Sequence, residues 1–352
     1  MANMAQAIRM ALHYAEDHLG VTDIFGEDVG MPLGGVFTVT QGLRTAWNSP
    51  LDERGILGMA IGLAMAGQRP VAEIQFADYI YNTIDLLKIA GNTCWASNGD
   101  WNLPMVVKTP VGSGIRGSLY HSHSFDATAT HIPGWKIVIP SNPLDAYGLM
   151  ISACQEINPV MYLEPKALLR VKGEERIPGE PDDDKLLSRL IDAPLGDRTQ
   201  WKPQWPEQLG AYAVPIGKGK VVRAGSHVTV VSYGRTLPLC KKAADDLASD
   251  GVDAEVIDLR SLWPYDWELI RGSVEKTGRV LFVNEDTEVT NFGEHLVRRT
   301  VEELFYKLLA PPRLLAGKFV PGVGLADTLE MASVPQQSDI TAAVRALAAE
   351  QP

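Results

Sequence analysis

Short apolar runs alternate along this chain with longer stretches whose apolar positions recur every three or four residues. The runs are Thr22–Gly26, Pro70–Phe76, Pro104–Thr109, Lys136–Pro140 and Val160–Glu164, and the helical periods fall near Ala5–His18, Gly55–Ala66, Tyr81–Ser97 and Pro143–Glu156. Alternation of this kind predicts a parallel sheet with helices on both faces. A second set follows, with runs at His227–Tyr233, Ala254–Leu259, Arg279–Val283 and Pro312–Ala316 and helical periods at Leu237–Ser249, Asp266–Thr277 and Gly293–Leu309. The expected architecture is therefore α/β in two domains, residues 1–175 and 216–352, each a largely parallel sheet flanked by helices. Residues 176–215 read as a linker with an insertion, because GEPDDD and DRTQWKPQWPEQ break the pattern with Pro, Gly and charge. Trp201 and Trp205 within it either meet a partner or pin the loop to its own domain.

Composition narrows the function classes. The 352 residues are 45% hydrophobic and 21% charged, ordinary for a globular chain with two cores. A net charge of -11 argues against a nucleic-acid groove, which needs clustered Lys and Arg, and serves solubility. Cys94, Cys154 and Cys240 are odd in number and widely spaced, which disfavours a disulfide framework or zinc site and suits a reducing cytoplasm. No basic segment followed by an apolar core opens the sequence, and the longest apolar stretch, Gly55–Gly67, is too short for the roughly 20 residues a membrane span needs.

Ligands in open parallel sheets sit beyond the carboxyl ends of the strands. Three segments there carry candidate chemistry. Ser49-Pro50-Leu51-Asp52-Glu53-Arg54 precedes a helix with Gly58, Gly62 and Ala66 on one face, open to close helix approach. Taken alone, Glu53 reads first as a carboxylate placed favourably at a helix N-terminus, worth roughly 0.3–1 kcal/mol. Glu73 to Ile80 runs from an apolar strand into Gln75, Phe76, Asp78 and Tyr79, aromatics that could sandwich a planar ring or simply close the core edge. Gly112–Gly117 leads into Tyr120-His121-Ser122-His123, where glycines permit close backbone approach. The histidines could be a metal pair, a general acid–base group or surface imidazoles, and no third ligand stands at metal spacing.

In this order and at these separations the segments resemble the β subunits of the decarboxylating first component of branched-chain 2-oxoacid and pyruvate dehydrogenase complexes. The likeness runs through FGEDVG, GGVF, SPLDERGILG, RPVAEIQFADYI, GIRGSLYHSHS and NPVMYLEPK, then EVIDLRSLWPYD, EKTGRVL and the helix from Phe292. It covers nearly all the chain except about Pro178–Ala211. It implies a transketolase-like pyrimidine-binding domain followed by a transketolase C-terminal-like domain. It also implies thiamin diphosphate held at an interface with an α subunit in an α2β2 heterotetramer, with a β–β contact, and service to a lipoyl-bearing acyltransferase core. The α subunit would bind the diphosphate and Mg²⁺; this chain lacks the GDG motif and downstream Asn of that site, and should be inactive alone.

By matching position, Glu53 is similar to the glutamate that bonds the 1′-nitrogen of the pyrimidine. Sharing a proton there favours the imino tautomer, whose 4′ group can take the proton from the thiazolium carbon. Such a carboxylate should be dry, with a raised pKa. Leu51, Gln75, Phe76 and Tyr79 match the pocket lining, and His121 matches a histidine that moves a proton as the acyl group passes to a lipoyl arm. A structural K⁺ site near Met105, Ala153, Glu156 and Asn158 is also implied.

Several positions depart from the family pattern. The chain is a few residues short ahead of Ser49. The helix around Ala90–Ala96 has lost cations, Asn284-Glu285-Asp286 replaces a stretch that often carries His, and Pro178–Ala211 is extra. The leading expectation is an enzyme subunit acting on a branched-chain 2-oxoacid such as 3-methyl-2-oxobutanoate. The alternatives are a pyruvate-type or other split thiamin enzyme, and a non-catalytic assembly subunit that keeps the fold.

Overall fold

The computed structural model describes residues 1–198 and 200–351. In chain order the elements are α1 (Met4–His18), β1 (Asp23–Gly26), β2 (Ala46–Asn48), α2 (Glu53–Met65), β3 (Pro70–Glu73), α3 (Ile84–Ala96), β4 (Val106–Val111), α4 (Asp126–Thr130), β5 (Lys136–Val138), α5 (Pro143–Gln155), β6 (Val160–Pro165) and α6 (Asp184–Ile191). There follow β7 (Lys220–Arg223), β8 (Val228–Ser232), α7 (Thr236–Ala248), β9 (Ala254–Asp258), β10 (Ser261–Trp263), α8 (Trp267–Thr277), β11 (Val280–Thr287), α9 (Phe292–Leu304), β12 (Arg313–Gly317), α10 (Asp327–Ser333) and α11 (Gln337–Ala349). The chain divides into two compact units: residues 1–110, 132–164 and 168–216 form the first, and residues 111–131, 165–167 and 217–352 the second.

In the first unit the strands run in the order β5-β6-β4-β3-β1-β2, with β1 parallel to both β2 and β3, β3 parallel to β4, and β5 parallel to β6. Local signals start its helices. Asn3 accepts from the amide of Gln6 at 2.9 Å while Gln6 Oε1 accepts from that of Asn3 at 3.0 Å, a reciprocal capping box for α1. Asn142 caps α5 ahead of Pro143, whose fixed φ suits the first helical position. Met4, Ile8 and Leu12 of α1 pack with Leu149 and Met150 of α5 and with sheet residues Ile24, Val71, Val138 and Tyr162 in one buried core.

The sheet of the second unit has the order β12-β11-β8-β9-β7, parallel except for β7, which pairs antiparallel with β9. Both units are thus largely parallel α/β, as the hydrophobic pattern predicts. The pattern did not reveal β2 or β7, three and four residues long and only partly buried, because edge strands need no continuous apolar run.

Residues 176–215, expected as a linker with an insertion, fold onto the first unit. Asp183 caps α6, and the segment straps across α1. The buried guanidinium of Arg9 donates to the carbonyl of Ile191 and pairs with Asp192 at 3.2 Å, and Gln6 Nε2 donates to Asp192 at 2.8 Å. Trp205 stacks on His13 with ring centroids 4.5 Å apart. Of the two readings of that tryptophan, the structure shows the one that pins the loop to its own domain.

Candidate active site

Because β1 lies between β2 and β3, the segments leaving these strands gather at one sheet end. β1 leads into Glu27 and Asp28, β2 into Ser49–Asp52 and then Glu53 in the first turn of α2, and β3 into Gln75 and Phe76. Asn82 Nδ2 donates to Glu53 Oε2 at 3.2 Å. Arg54, adjacent in sequence, turns away and binds Asp85 at 2.6 and 2.9 Å. Gln75 Nε2 donates to Asp28 at 3.4 Å. The ring of Phe76 meets Tyr79 edge-on at 5.6 Å and Phe37 at 6.0 Å.

Glu27, directly after the last residue of β1, adds a further carboxylate among these segments. Its Oε1 is buried and accepts no hydrogen bond among the described residues. Burial, then the charges of Glu53 and Asp28, holds it above the usual carboxylate range. Burial, then Asp78, Glu27 and Glu53, also raises the Tyr79 phenol. Glu27, Glu53 and Tyr79 therefore share one electrostatic neighbourhood, bounded by the Phe76 ring. Glu53 itself is half-buried rather than dry in this chain, and Leu51 is 80% exposed. The signal that could have found Glu27 is a carboxylate directly after a fully buried apolar strand end, where desolvation is unavoidable.

His121 belongs to the second unit, in a loop whose backbone is gathered by carboxylates. Glu285 accepts from the amide of Ser113 at 3.1 Å and its hydroxyl at 2.7 Å. Glu330 accepts from the amide of Gly114 at 2.7 Å and that of Arg116 at 3.2 Å, and the guanidinium of Arg116 is paired with Asp327. A Cβ at Gly112 would fall 2.1 Å from Glu285 Oε1, and one at Gly117 would fall 2.5 Å from the carbonyl oxygen of His121, so the segment closes only with glycine there. His121 Nδ1 lies 3.0 Å from the carbonyl oxygen of Gly117. A carbonyl can only accept, so Nδ1 carries a proton and Nε2 is the nitrogen that can exchange one. His123 plays a different part, its carbonyl accepting from the amide of Gly112 at 2.8 Å.

Asn284-Glu285-Asp286, a departure in sequence, is thus part of the loop's support. Asp286 accepts from the amide of Ala127 at 2.9 Å at the start of α4. Burial, then Asp286 and Glu285, pushes the Asp126 carboxyl well up. Among the described residues, one group of three metal-capable side chains occurs, His13, Glu16 and Asp17, and Glu16 is already engaged by Arg44 and Thr45.

The residues nominated for K⁺ gather at the end of α5. The carbonyl of Met105 accepts from Val160 at 3.0 Å and that of Ala153 from Glu156 at 3.3 Å, while Arg69 donates to the carbonyls of Cys154 and Glu156 at 3.1 Å each. The Glu156 side chain pairs with Lys136 at 2.5 Å. Asn158 Oδ1 is a buried acceptor without a bond among the described residues.

Residues 1–172 match the family described as the transketolase pyrimidine-binding domain, and residues 217–340 the transketolase C-terminal domain. The 2-oxoisovalerate dehydrogenase subunit beta of Pseudomonas aeruginosa is 39% identical over 327 residues, covering 90% of this chain and 87% of that protein. The chain belongs to the β-subunit family of the 2-oxoacid dehydrogenases. The corresponding Bacillus subtilis subunit is 36% identical and 97% of each chain is covered. The pyruvate dehydrogenase E1 component subunit beta of Acholeplasma laidlawii is 34% identical, over 99% of this chain and 98% of that one. Membership therefore spans both substrate types and makes this chain one subunit of an oxidoreductase. A solved split gene transketolase, described as an inactive beta4 tetramer, superposes with a TM-score of 0.69 at 18% identity, covering 99% of this chain and 98% of that one; it shows the shared fold. Between the two family matches lie residues 173–216, the stretch that wraps α1.

Proposed function

We propose that the chain works with an α subunit in an α2β2 assembly that oxidatively decarboxylates a 2-oxoacid, with 3-methyl-2-oxobutanoate preferred to pyruvate, and passes the acyl group to a lipoyl arm of an acyltransferase core. The observation that carries the reading is the grouping of Glu27, Glu53 and Tyr79 beside Phe76 at one strand end. A buried carboxyl oxygen without a partner and an aromatic wall suit an aminopyrimidine, which offers ring nitrogens and a flat face. Glu53 would meet the 1′-nitrogen, with Leu51, Gln75, Phe76 and Tyr79 around the ring. Thiamin diphosphate, when bound, supplies the nucleophilic carbon that attacks the 2-oxo group, and the α subunit holds its diphosphate and Mg²⁺.

This chain's own residues would set protonation and orientation. Glu53 holds a shared proton at the pyrimidine edge. Glu27, raised by burial, keeps its proton to higher pH and so eases the charge load beside Glu53. In acyl transfer the lipoyl disulfide is the oxidant: one sulfur takes the acyl group, the other takes a proton, and His121, when protonated at Nε2, would give it. The exposed Leu51 and the open face of α2, where a Cβ on Gly58 or Gly62 would meet nothing within 4 Å, suit contacts with other subunits.

The test is co-expression with an α candidate bearing the GDG motif, then 2-oxoacid-dependent dye reduction with and without thiamin diphosphate and Mg²⁺. The expected result is cofactor-dependent turnover, higher with 3-methyl-2-oxobutanoate than with pyruvate. Glu53→Gln should lower it at least about 100-fold while the complex still assembles, in line with a lost proton-transfer group. Normal turnover in that variant would remove Glu53 from the mechanism. A stable complex inactive on every 2-oxoacid would instead favour an assembly subunit.

A further inference from the structure

Glu330, on α10, is far from His121 in sequence and was not singled out by any motif. We propose that it is a positioning residue for His121, and the proposal rests on the role assigned to that histidine above. Glu330 is buried, at 6% exposure, and its carboxylate collects the amides of Gly114 and Arg116. Backbone N–H groups of neighbouring residues turned toward one point form an anion-binding concavity. Here the anion is a side chain of the same unit.

The concavity requires unusual backbone: φ is +98° at Gly114, +57° at Arg116 and +59° at Ser118. A non-glycine residue in the left-handed region is held there only when its surroundings over-determine it. The surroundings are Glu330 on the amide of Arg116 and Asp327 on its guanidinium. The next residue, Gly117, presents the carbonyl that accepts from His121 Nδ1 at 3.0 Å. One peptide unit, between Arg116 and Gly117, therefore separates the amide that binds Glu330 from the carbonyl that accepts from the imidazole. With the clamp lost, Arg116 and Ser118 relax toward ordinary φ values, the Gly117 carbonyl turns, and Nε2 is no longer held as the nitrogen that gains and loses the proton.

The experiment compares Glu330→Ala, Glu330→Gln and His121→Ala in the assembled α/β complex. Three readings are taken: dye-linked decarboxylation, acyl transfer to a free lipoyl domain, and ¹⁵N spectra of histidine-labelled complex, with the His121 signals assigned by their loss in His121→Ala. For Glu330→Ala we expect transfer to fall about 10-fold, dye reduction to stay within about twofold, and the His121 signals to change from the Nδ1-protonated tautomer to a mixture. Glu330→Gln keeps one acceptor oxygen and should recover part of the transfer rate. Unchanged His121 signals in Glu330→Ala would overturn the proposal whatever the rates. Equal loss in both assays with a lowered melting temperature in both variants would also overturn it, leaving Glu330 a residue of stability alone. If His121→Ala itself transfers normally, the role of His121 fails, and the tautomer signals still decide separately whether Glu330 positions the ring.

Discussion

At the scale of single residues, environment rather than identity decides chemical behaviour. Glu27 and Glu53 are the same amino acid at neighbouring strand ends. One has a buried oxygen with no hydrogen-bond partner among the described residues and a raised pKa, and the other has a bond from Asn82. The cysteines differ in the same way. Burial pushes the Cys154 and Cys240 thiols up to about 12, while Cys94 is partly exposed. A thiol must ionise and be reached to react. A disulfide reagent at pH 8 should therefore modify one thiol per folded chain and three after denaturation, and fast modification of a second thiol in the native protein would contradict the burial described here. The sequence showed that these cysteines form no zinc or disulfide pattern, but not which of them is sheltered, since shelter depends on what packs above each helix.

At the scale of elements, the parallel sheet of the first unit carries a buried charge cluster. Lys108 on β4 lies between its neighbours β3 and β6, paired with Glu73 and, at 3.2 Å, with Glu164, and all three side chains are essentially inaccessible. Burial raises the Glu164 carboxyl from its ordinary 4.5 to about 7; Lys108 opposes the rise and Glu73 adds to it. Between those two values the folded chain binds this proton and the unfolded chain does not. The stabilisation from this group is thus fully present below 4.5 and lost as the pH rises to about 7. Removing the lysine leaves buried carboxylates without a counter-charge, a change that costs about 3–5 kcal/mol. Lys108→Met should lose stability of that size in urea unfolding at pH 8, and less at pH 5, where protonation relieves the pair. An equal loss at both values would show that packing, not charge, sets the cost. The apolar run Pro104–Thr109 was legible as a strand, but its lysine gave no hint of burial, because the two glutamates stand 35 and 56 residues away.

At the scale of the whole chain, residues 173–216 fall outside both family matches, yet they complete the first unit. The segment leaves and returns at one place, with the amide of Gly210 bonded to the carbonyl of Pro178 at 2.9 Å. Excising Pro181–Gln208 and joining the ends with a short glycine turn should therefore be tolerated by the backbone, but it strips Arg9 of Ile191 and Asp192. Losing these partners and the cover over α1 should lower stability in urea unfolding, and Arg9→Met in the excised chain should recover part of it if the lost pairing sets the cost. No recovery would mean that the lost stability lies elsewhere in the strap. What the sequence alone determined was the pair of α/β domains, the strand that leads into Gln75, Phe76 and Tyr79, the helix that begins near Glu53, and the loop bearing His121. These are set by local periodicity, turn residues and ordered motifs, all short-range signals. Only the tertiary structure decided that burial raises Glu27 beside Glu53, that Arg69 donates to the carbonyl of Glu156, and that Glu285, Asp327 and Glu330 hold the histidine loop. Desolvation and hydrogen bonding act between groups distant along the chain, and their partners exist only once the sheets have formed.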